Sequence, residues 1–369
     1  MNIAVLGGGN GGYATAADLA LAGHKVRLWR RSETGLAPVR RAGRITLAAE
    51  ERQGEARLDG ATTDLADAMN GVEIVIVALP ATAHEELARR VAPHLAEHHV
   101  VLLTPGSFGG FVLAREIARG GGRLPLAFAE TGTLPYLART TSPTAVAAPV
   151  RAAHLPVGVF PAVRASQVLP RVRALFPATR PCTDVLDAAL TNAGVVLHPP
   201  LVLLNAAAIE RGPFDVHAAG TTASSRRLVD AVDAERVETR EGWGYPAPHY
   251  EQATYYDEAR AAEGLYGAGA RQKLLASGLW SELVTLDHRY VAEDVVLGLS
   301  LFESAARAAG VATRAISGLL AVFGALLGRE LSGGGRALER HGLGDLSRRE
   351  IRGLLEEGWL SSTWPRVLR

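Results

Sequence analysis

A histidine inside an apolar, helix-like run is the residue of this chain whose type best suits proton transfer. His198 is followed by Pro199 and Pro200 and flanked by Asn192 and Asn205. Imidazole has an unperturbed pKa of ~6.5, close to a working pH near neutrality, so a histidine suits general acid–base catalysis. The two prolines should break or restart the helix here and expose the ring towards a cleft. The alternative is a hydrogen-bonded core histidine, which is what a lone histidine more often is.

A second polar cluster occupies residues 286–295 and reads Leu-Asp-His-Arg-Tyr-Val-Ala-Glu-Asp-Val. Arg289 carries a guanidinium, which pairs with a carboxylate through two parallel hydrogen bonds. The cluster therefore predicts groups that bind or polarise a carboxylate substrate. On the residues alone, Arg289, Glu293 and Asp294 are equally consistent with a helix N-terminus that carries exposed ion pairs.

A glycine-rich turn near the start of the chain predicts a dinucleotide-binding site. Gly7, Gly9 and Gly12 have the spacing G-x-G-x-x-G, between an apolar strand at 3–6 and a small-residue helix that ends near residue 22. The first glycine turns the chain, the second admits a pyrophosphate, and the third packs the helix against the strand. Free N–H groups at the helix start attract the anion. The residues of the turn that we expect at the cofactor are Gly7, Gly9, Asn10, Gly11 and Gly12. The alternative is a strand–helix turn that binds nothing.

The residues after the second strand predict which nicotinamide cofactor is used. Arg30, Arg31 and Ser32 follow the strand Lys25–Trp29, where sites that prefer NAD usually place an acidic residue on the ribose 2′-hydroxyl. Arginine instead accommodates a 2′-phosphate, and Ser32 adds a hydrogen-bond donor. We therefore expect NADP(H) to be favoured over NAD(H). The alternative is a pair of solvated surface arginines.

Strands and helices alternate along the first half of the chain, which predicts a Rossmann-type, doubly wound α/β domain. The run 72–79 is apolar and β-branched, as in a strand of a parallel sheet covered on both faces. Ligands bind outside the carboxyl ends of such strands, so Leu79 and Pro80 should face the cofactor. Residues 145–150 and 156–160 are expected to continue the same sheet.

Beyond Cys182 the pattern becomes mainly helical. Helices are expected at 185–210, 222–242, 292–309 and 314–327. A chain of 369 residues is long for one core. We therefore predict two domains, a dinucleotide-binding domain at 1–182 and a mainly α-helical substrate and catalytic domain at 183–369.

Composition narrows the classes of partner and compartment. The formal charge of +1 gives no basic field for nucleic acid. Cys182 is the only cysteine, which excludes an intrachain disulfide and fits a reducing cytoplasm. No compact spacing of ligands predicts a metal site. The apolar stretch 316–327 is shorter than the ~20 residues of a membrane span, and the chain enters its first strand without room for a signal peptide. We expect a cytoplasmic protein without a membrane partner. Its oligomeric state stays open, and a homodimer is one of the alternatives.

Four stretches together resemble the octopine (opine) dehydrogenase family. They are the glycine turn 7–12, the segment Ala-Glu-Thr-Gly-Thr-Leu-Pro-Tyr at 129–136, Asn192 with His198-Pro199, and Arg289-Tyr290 with Glu293-Asp294. Their order and spacing match along most of the chain, as far as residues 335–343. The His-Pro pair followed by R-Y-x-x-E-D is the narrower part of the pattern, because a glycine fingerprint alone fits many enzymes.

The resemblance implies reductive condensation of an amino acid or amine with a 2-oxo acid such as pyruvate, through an imine that NAD(P)H reduces. It implies that His198 and Asp294 form the catalytic pair, with Asp294 fixing the imidazole tautomer and raising its pKa. Asn192 would orient the substrate or His198, Arg289 would pair with a substrate carboxylate, and Glu130 would touch the amino donor.

Two other functions remain open on the sequence. A simple 2-oxo acid reductase, or 2-hydroxy acid dehydrogenase, would need no amine. Related dehydrogenases of that kind commonly use a lysine in the helical domain, and here only Lys273 is available there, without a recognisable catalytic context. A non-catalytic dinucleotide sensor would keep the glycine turn but would not need His198 close to Asp294.

Overall fold

The computed structural model describes residues 1–280 and 284–369, and the chain divides into two compact units, 1–185 and 186–369. Cys182 lies near the end of the first unit. The first unit is an α/β domain and the second is mainly helical, which confirms the predicted fold class.

Every strand among the described residues lies in the first unit. In chain order they are β1 (Asn2–Leu6), β2 (Lys25–Trp29), β3 (Arg44–Ala49), β4 (Gly54–Arg57), β5 (Gly60–Thr62), β6 (Ile74–Val77), β7 (Val100–Leu103), β8 (Ala127–Thr131), β9 (Tyr136–Ser142), β10 (Ala145–Arg151), β11 (Leu155–Phe160) and β12 (Thr179–Pro181).

Eight strands form the larger sheet, in the order β12-β11-β8-β7-β6-β1-β2-β5. The pairs from β8 to β5 are parallel, whereas β11 runs antiparallel to β8. From β1 the chain builds outward through β2 to one edge, then returns to the other side of β1 with β6. The carboxyl ends of β1 and β6 therefore border the crevice at which such sheets bind ligands. Both strands are apolar and almost wholly buried, as expected when helices cover both faces of a sheet.

A separate four-stranded sheet has the order β4-β3-β10-β9. The prediction that residues 145–150 continue the main sheet is therefore wrong, although the strand itself is present. In β10 buried and partly exposed residues alternate, which is the pattern of a sheet covered on one face only. By contrast, every residue of β11 is buried, and β11 does join the main sheet.

Fifteen α-helices are described in residues 1–280 and 284–369. Those of the first unit are α1 (Asn10–Leu21), α2 (Glu33–Ala42), α3 (Leu65–Met69), α4 (His84–Val91), α5 (Gly109–Arg119), α6 (Ala165–Leu175) and the start of α7 (Val185–Ala189). Those of the second unit are α8 (Ala193–Leu204), α9 (Ala206–Ile209), α10 (Ala223–Trp243), α11 (Ala270–Ala276), α12 (Ser300–Ala309), α13 (Arg314–Leu327), α14 (Arg348–Glu357) and α15 (Trp364–Val367).

The apolar run at 185–210 folds as three helices rather than the single predicted one. The first two helices, α7 and α8, are separated by a short break that ends at Asn192. The Asn192 side chain caps the start of α8 by accepting a hydrogen bond from the Gly194 N–H at 3.0 Å. The expected break at Pro199 and Pro200 is wrong, since both prolines lie inside α8 and are buried. Here packing of α8 on nearly all sides overrides the local penalty that proline imposes on a helix interior.

A π-helix, Tyr290–Leu299, precedes α12 without interruption. A continuous helix was predicted from residue 292, and the widened turns begin two residues earlier. The segment packs closely on α8 at Gly298, where a Cβ would come within 2.4 Å of the Val195 side chain. Wide helical turns of this kind are rare and frequently mark functional sites.

One segment, 185–204, has the length and hydropathy of a membrane-crossing helix among the described residues. Of its 18-residue window, 83% is buried inside the protein, as in the core helix of a folded domain. The apolar segment 316–327, which the sequence analysis judged too short for a membrane span, lies within α13.

Candidate active site

The glycine turn has the geometry of a ligand cradle. A Cβ on Gly7, where φ is +139°, would lie 2.2 Å from the carbonyl oxygen of Ala78, and one on Gly12 would lie 1.9 Å from the carbonyl oxygen of Gly7. Both positions therefore require glycine. A Cβ on Gly9 would meet no atom within 4 Å, so this part of the turn borders open space. These contacts fit the roles expected of the three glycines. Gly7 allows the tight turn, Gly12 allows close packing of helix and strand, and Gly9 leaves space for a pyrophosphate.

A pocket of about 470 Å³ opens beside this turn. Seven of the residues predicted at the cofactor line it, namely Gly7, Gly9, Arg30, Arg31, Ser32, Leu79 and Pro80. Its other lining residues are Gly8, Trp29, Thr82, Ala83, Glu86, Leu87 and Arg90. The remaining three predicted residues lie along the start of α1. Gly12 is buried and the Asn10 side chain accepts hydrogen bonds from Thr140, so these two serve the packing of α1, and Gly11 is partly exposed.

The two arginines after β2 differ in how they are held. The Arg30 guanidinium lies against Gly35 and donates hydrogen bonds to the Gly35 carbonyl at 2.9 Å and to the Tyr13 hydroxyl at 3.3 Å. Arg31 is 72% exposed and reaches Glu86 at 3.6 Å. Ser32 caps α2 by accepting from the Gly35 N–H at 3.2 Å, which leaves its hydroxyl hydrogen available. The donors at this corner of the pocket fit an anionic group.

Sequence reasoning missed a third arginine in the pocket. Arg90 lies on α4 with its guanidinium over the Trp29 ring, 5.1 Å from the ring centroid, and within 3.8 Å of Glu86. Its position in the chain could have revealed Arg90. The helix after Pro80 starts beside the crevice at which such sheets bind ligands, so one face of that helix should border the ligand. Arg90 lies on this helix.

Glu130 is tied to the start of α5. Its side chain is fully buried, and its two carboxylate oxygens accept hydrogen bonds from the Phe108 N–H at 2.7 Å and the Gly110 N–H at 2.8 Å. A carboxylate is favoured there by unpaired N–H groups and by the helix dipole. Glu130 therefore stabilises the α5 N-terminus, and its contact with an amino donor stays a prediction.

In the second unit, His198 and Asp294 lie in direct contact. His198 Nδ1 and Asp294 Oδ2 are 2.7 Å apart, although 96 residues separate the two in the chain. Both side chains are mostly buried, with 17% and 13% exposed. A carboxylate at Nδ1 accepts the hydrogen bond of that nitrogen, which leaves Nε2 to exchange a proton with a substrate. This is the spatial arrangement that a non-catalytic dinucleotide sensor would not need.

Two elements position this pair. His198 lies on α8, and Asp294 lies on the π-helix that packs against it. A Cβ on Gly194 would lie 3.1 Å from Asp294 Oδ1, 3.2 Å from Asn192 Oδ1 and 3.3 Å from His198 Nδ1. The absent side chain of Gly194 therefore leaves room for the pair. Asn192 caps the start of α8, the helix that carries His198.

Burial gives the Asp294 carboxyl an unusual proton affinity. Desolvation raises its pKa from 3.8 to about 7, while Arg289 and His288 act in the opposite direction. The Asp294 carboxyl therefore has a higher proton affinity than an exposed aspartate, and its contact partner is the imidazole of His198.

Arg289 lies next to the pair and is half exposed. Its Nε is 3.1 Å from Glu293 Oε1, four residues further along. The ion pair proposed as the alternative to a substrate site is thus present. The Glu293 carboxylate is largely buried, whereas the arginine keeps 48% of its side chain exposed. The guanidinium therefore has surface from which it can reach a second carboxylate.

Two further residues surround His198 and were not singled out from the sequence. The ring of Tyr290 stacks on the imidazole, and His217 contacts the Tyr290 hydroxyl. Tyr290 had a signal, since it stands inside the R-Y-x-x-E-D motif. His217 had none, because it lies in a loop far from that motif in sequence.

Comparison with known proteins agrees with this fold. Residues 181–327 match the family model described as NAD/NADP octopine/nopaline dehydrogenase, alpha-helical domain, and residues 2–117 match the N-terminus of NAD-dependent glycerol-3-phosphate dehydrogenase. The opine dehydrogenase of Arthrobacter sp. (strain 1C) is 30% identical over 358 residues, which cover 96% of this chain and 98% of that protein.

Two solved structures share the fold at lower identity. Octopine dehydrogenase in complex with NADH and pyruvate superposes with a TM-score of 0.69 at 18% identity, covering 94% of this chain and 96% of that one. Yersinopine dehydrogenase with bound NADP⁺ superposes with a TM-score of 0.64 at 17% identity, covering 97% and 98%. With the full-length match to the Arthrobacter enzyme, these observations establish that the chain belongs to the opine dehydrogenase family of NAD(P)-dependent oxidoreductases.

Proposed function

We propose that this enzyme uses NADPH to condense an amino acid or amine reductively with a 2-oxo acid such as pyruvate, in the cytoplasm. The observation that carries the proposal is the 2.7 Å contact between His198 and Asp294, in a chain of the opine dehydrogenase family. The oxo acid class is supported by the relative whose structure contains pyruvate.

The reaction balances as follows. The amine nitrogen adds to the oxo carbon and water leaves, which gives an imine. Bound NADPH supplies the hydride that reduces the imine carbon, and a proton on nitrogen completes a secondary amine, which carries two carboxylates when the amino donor is an amino acid. Addition, loss of water and protonation each need a proton moved at one atom, which suits a single acid–base group.

His198 Nε2 is the atom that moves these protons in our proposal. It first takes a proton from the substrate ammonium, so that the free amine can add to the oxo carbon, and it then gives that proton to the oxygen that leaves as water. Asp294, at Nδ1, keeps the ring oriented and stabilises its protonated form. Arg289 pairs with a substrate carboxylate through the exposed part of its guanidinium, and Asn192 holds the start of α8.

The pocket of the first unit is proposed to hold NADPH in preference to NADH. Arg30, Arg31 and Arg90 surround it with only one acid, Glu86, among its lining residues. A 2′-phosphate is doubly charged near neutrality, so three guanidinium groups favour it more strongly than a neutral hydroxyl. Among the relatives, yersinopine dehydrogenase is seen with NADP⁺ and octopine dehydrogenase with NADH, so the preference proposed here rests on the arginines.

A matrix of amines against 2-oxo acids tests the proposed reaction. NADPH oxidation is followed with each pair and with each substrate alone, and the product is identified by mass. We expect oxidation only when both substrates are present, with a product mass equal to amine plus oxo acid, minus water, plus two hydrogens. Equal oxidation with the oxo acid alone, giving a 2-hydroxy acid, would replace this proposal with a simple 2-oxo acid reductase.

A further inference from the structure

The imidazole of His198 is held on its face as well as at its edge. Its ring lies almost parallel to the ring of Tyr290, with centroids 3.7 Å apart and planes 16° from parallel. Tyr290 is the first residue of the π-helix and Asp294 is four residues further along, so both project from one side of that segment. One residue therefore fixes the plane of the imidazole while the other fixes its rotation in that plane.

The tyrosine is itself held by a histidine from a different part of the chain. The hydroxyl of Tyr290 and Nε2 of His217 are 3.2 Å apart, and both residues are more than 90% buried. His288 packs edge-on against the same tyrosine ring, with centroids 4.4 Å apart. Three contacts of different kinds thus define the position of one aromatic ring.

The loop that carries His217 is built to hold it in place. The Asp215 carboxylate accepts hydrogen bonds from the backbone N–H groups of His217 at 2.9 Å and Ala218 at 3.0 Å. Asn205, at the end of α8, donates to the Gly220 carbonyl at 3.1 Å and to the Leu201 carbonyl at 2.8 Å. The loop is therefore tied to the helix that bears His198.

We propose that Tyr290 is a positioning residue for the imidazole of His198, and that the face of the tyrosine ring stabilises the protonated imidazole. His217 in turn fixes the position of Tyr290 through the contact with its hydroxyl. A cation within about 6 Å of an aromatic ring is attracted by the ring face. The stack therefore favours the state in which His198 acts as an acid. This inference rests on the proposed role of His198 as the acid–base group.

Several other ionisable groups belong to the surroundings of the site. They are Asp294, His288, Arg289 and Glu293 on the π-helix or just before it, His217 from its loop, and Tyr255 from the turn Gln252–Tyr255. Tyr290 itself contacts His217 and His288, so a substitution at Tyr290 also changes their surroundings. A change in the pH profile that occurs in Y290L but not in Y290F therefore reports the lost ring rather than the lost hydroxyl.

The test compares Y290L and Y290F with the wild type in kcat, in the KM for NADPH and in the pH profile of kcat/KM. For Y290L we expect kcat to fall roughly ten- to a hundredfold, a KM for NADPH within twofold of wild type, and the apparent pKa of the acid form to fall by roughly half a unit to one unit. Y290F keeps the stacked ring and loses only the hydroxyl that contacts His217. We expect it to retain most of that pKa and to lose only a few-fold in kcat.

Y245L supplies the matched control, because Tyr245 is an equally buried tyrosine that stacks on Trp243 instead, with centroids 6.3 Å apart. We expect Y245L to lower the melting temperature without moving the pH profile. A Y290L enzyme with wild-type kcat and an unmoved apparent pKa would overturn the inference, as would a Y290F enzyme whose apparent pKa falls as far as that of Y290L. An inactive His198 variant combined with a normal Y290L would reject this inference alone, whereas an active His198 variant would reject the proposed function.

Discussion

The chemistry proposed for this enzyme depends on which protons His198 and Asp294 hold. The family resemblance predicted the pair, and the structure places its two atoms at hydrogen-bond distance. The sequence could not predict the raised pKa of Asp294, because the shift arises from burial among residues that are distant in the chain. The contacts of Tyr290 and His217 were missed for the same reason, since a ring stack leaves no spacing pattern in the chain.

Glu130 shows a role that the sequence did not reveal. The family resemblance predicts that its carboxylate contacts the amino donor, and this stays a prediction. In the structure the carboxylate also accepts hydrogen bonds from the first N–H groups of helix α5. That role depends on how a strand end and a helix start meet in the fold, which no spacing pattern in the chain encodes.

The proposed preference for NADPH also depends on single residues, and a substitution at Arg31 tests it. Arg31 is exposed and only loosely paired with Glu86, so it is free to turn towards a 2′-phosphate. We expect R31A to lower kcat/KM for NADPH roughly ten- to a hundredfold, since a charge-assisted hydrogen bond contributes ~1.5–3 kcal/mol, and to leave kcat/KM for NADH nearly unchanged.

The control for that experiment is R123A. Arg123 is 68% exposed and lies 3.7 Å from Glu97, so it matches Arg31 in exposure and pairing but does not line the pocket. R123A should leave both cofactors unaffected. Wild-type enzyme that uses NADH as efficiently as NADPH, or an equal loss for both cofactors in R31A, would contradict the assignment.

At the scale of elements, local pattern predicted most of the sheet and less of the helical unit. The strand Ile74–Val77 was found from the apolar β-branched run 72–79 alone, because both faces of a parallel sheet are buried. The separate small sheet was not found, since pairing partners are not encoded in a strand's own residues. The π-helix and the unbroken helix through Pro199 both depend on packing against other helices, which overrides local preference.

Helix α14 offers a test of how local sequence stabilises an element. Ser347 and Glu350 form a reciprocal capping box, and Arg366 also contacts the Glu350 carboxylate. Hydrogen bonds from Ser347, with a smaller contribution from Arg366, lower the pKa of Glu350 from 4.5 to about 2. The unfolded state therefore binds more protons than the folded state between these two pH values.

The stabilisation by Glu350 should accordingly be complete above pH ~4.5 and disappear as the pH falls to about 2. The measurement is the difference in melting temperature between wild type and E350Q across this range. E356Q, which removes a carboxylate from the exposed surface of the same helix, is the control. A difference for E350Q that stays constant with pH would show that the carboxylate charge does not stabilise the cap.

At the scale of the whole molecule, the residues proposed to bind the cofactor and those proposed to transfer protons belong to different compact units. The first contains the glycine turn and the arginine-lined pocket, and the second contains the His198–Asp294 pair. Because the two sets of residues belong to separate cores, cofactor binding and proton transfer should respond to substitution independently.

The most direct test of the account is therefore the turnover of H198N, with NADPH binding measured on the same preparation. Asparagine keeps polarity near Asp294 but cannot transfer a proton as imidazole does, so we expect kcat to fall about 10²- to 10⁴-fold while the Kd for NADPH stays within twofold of wild type. Wild-type turnover in H198N, with amine and oxo acid both supplied, would contradict the central claim.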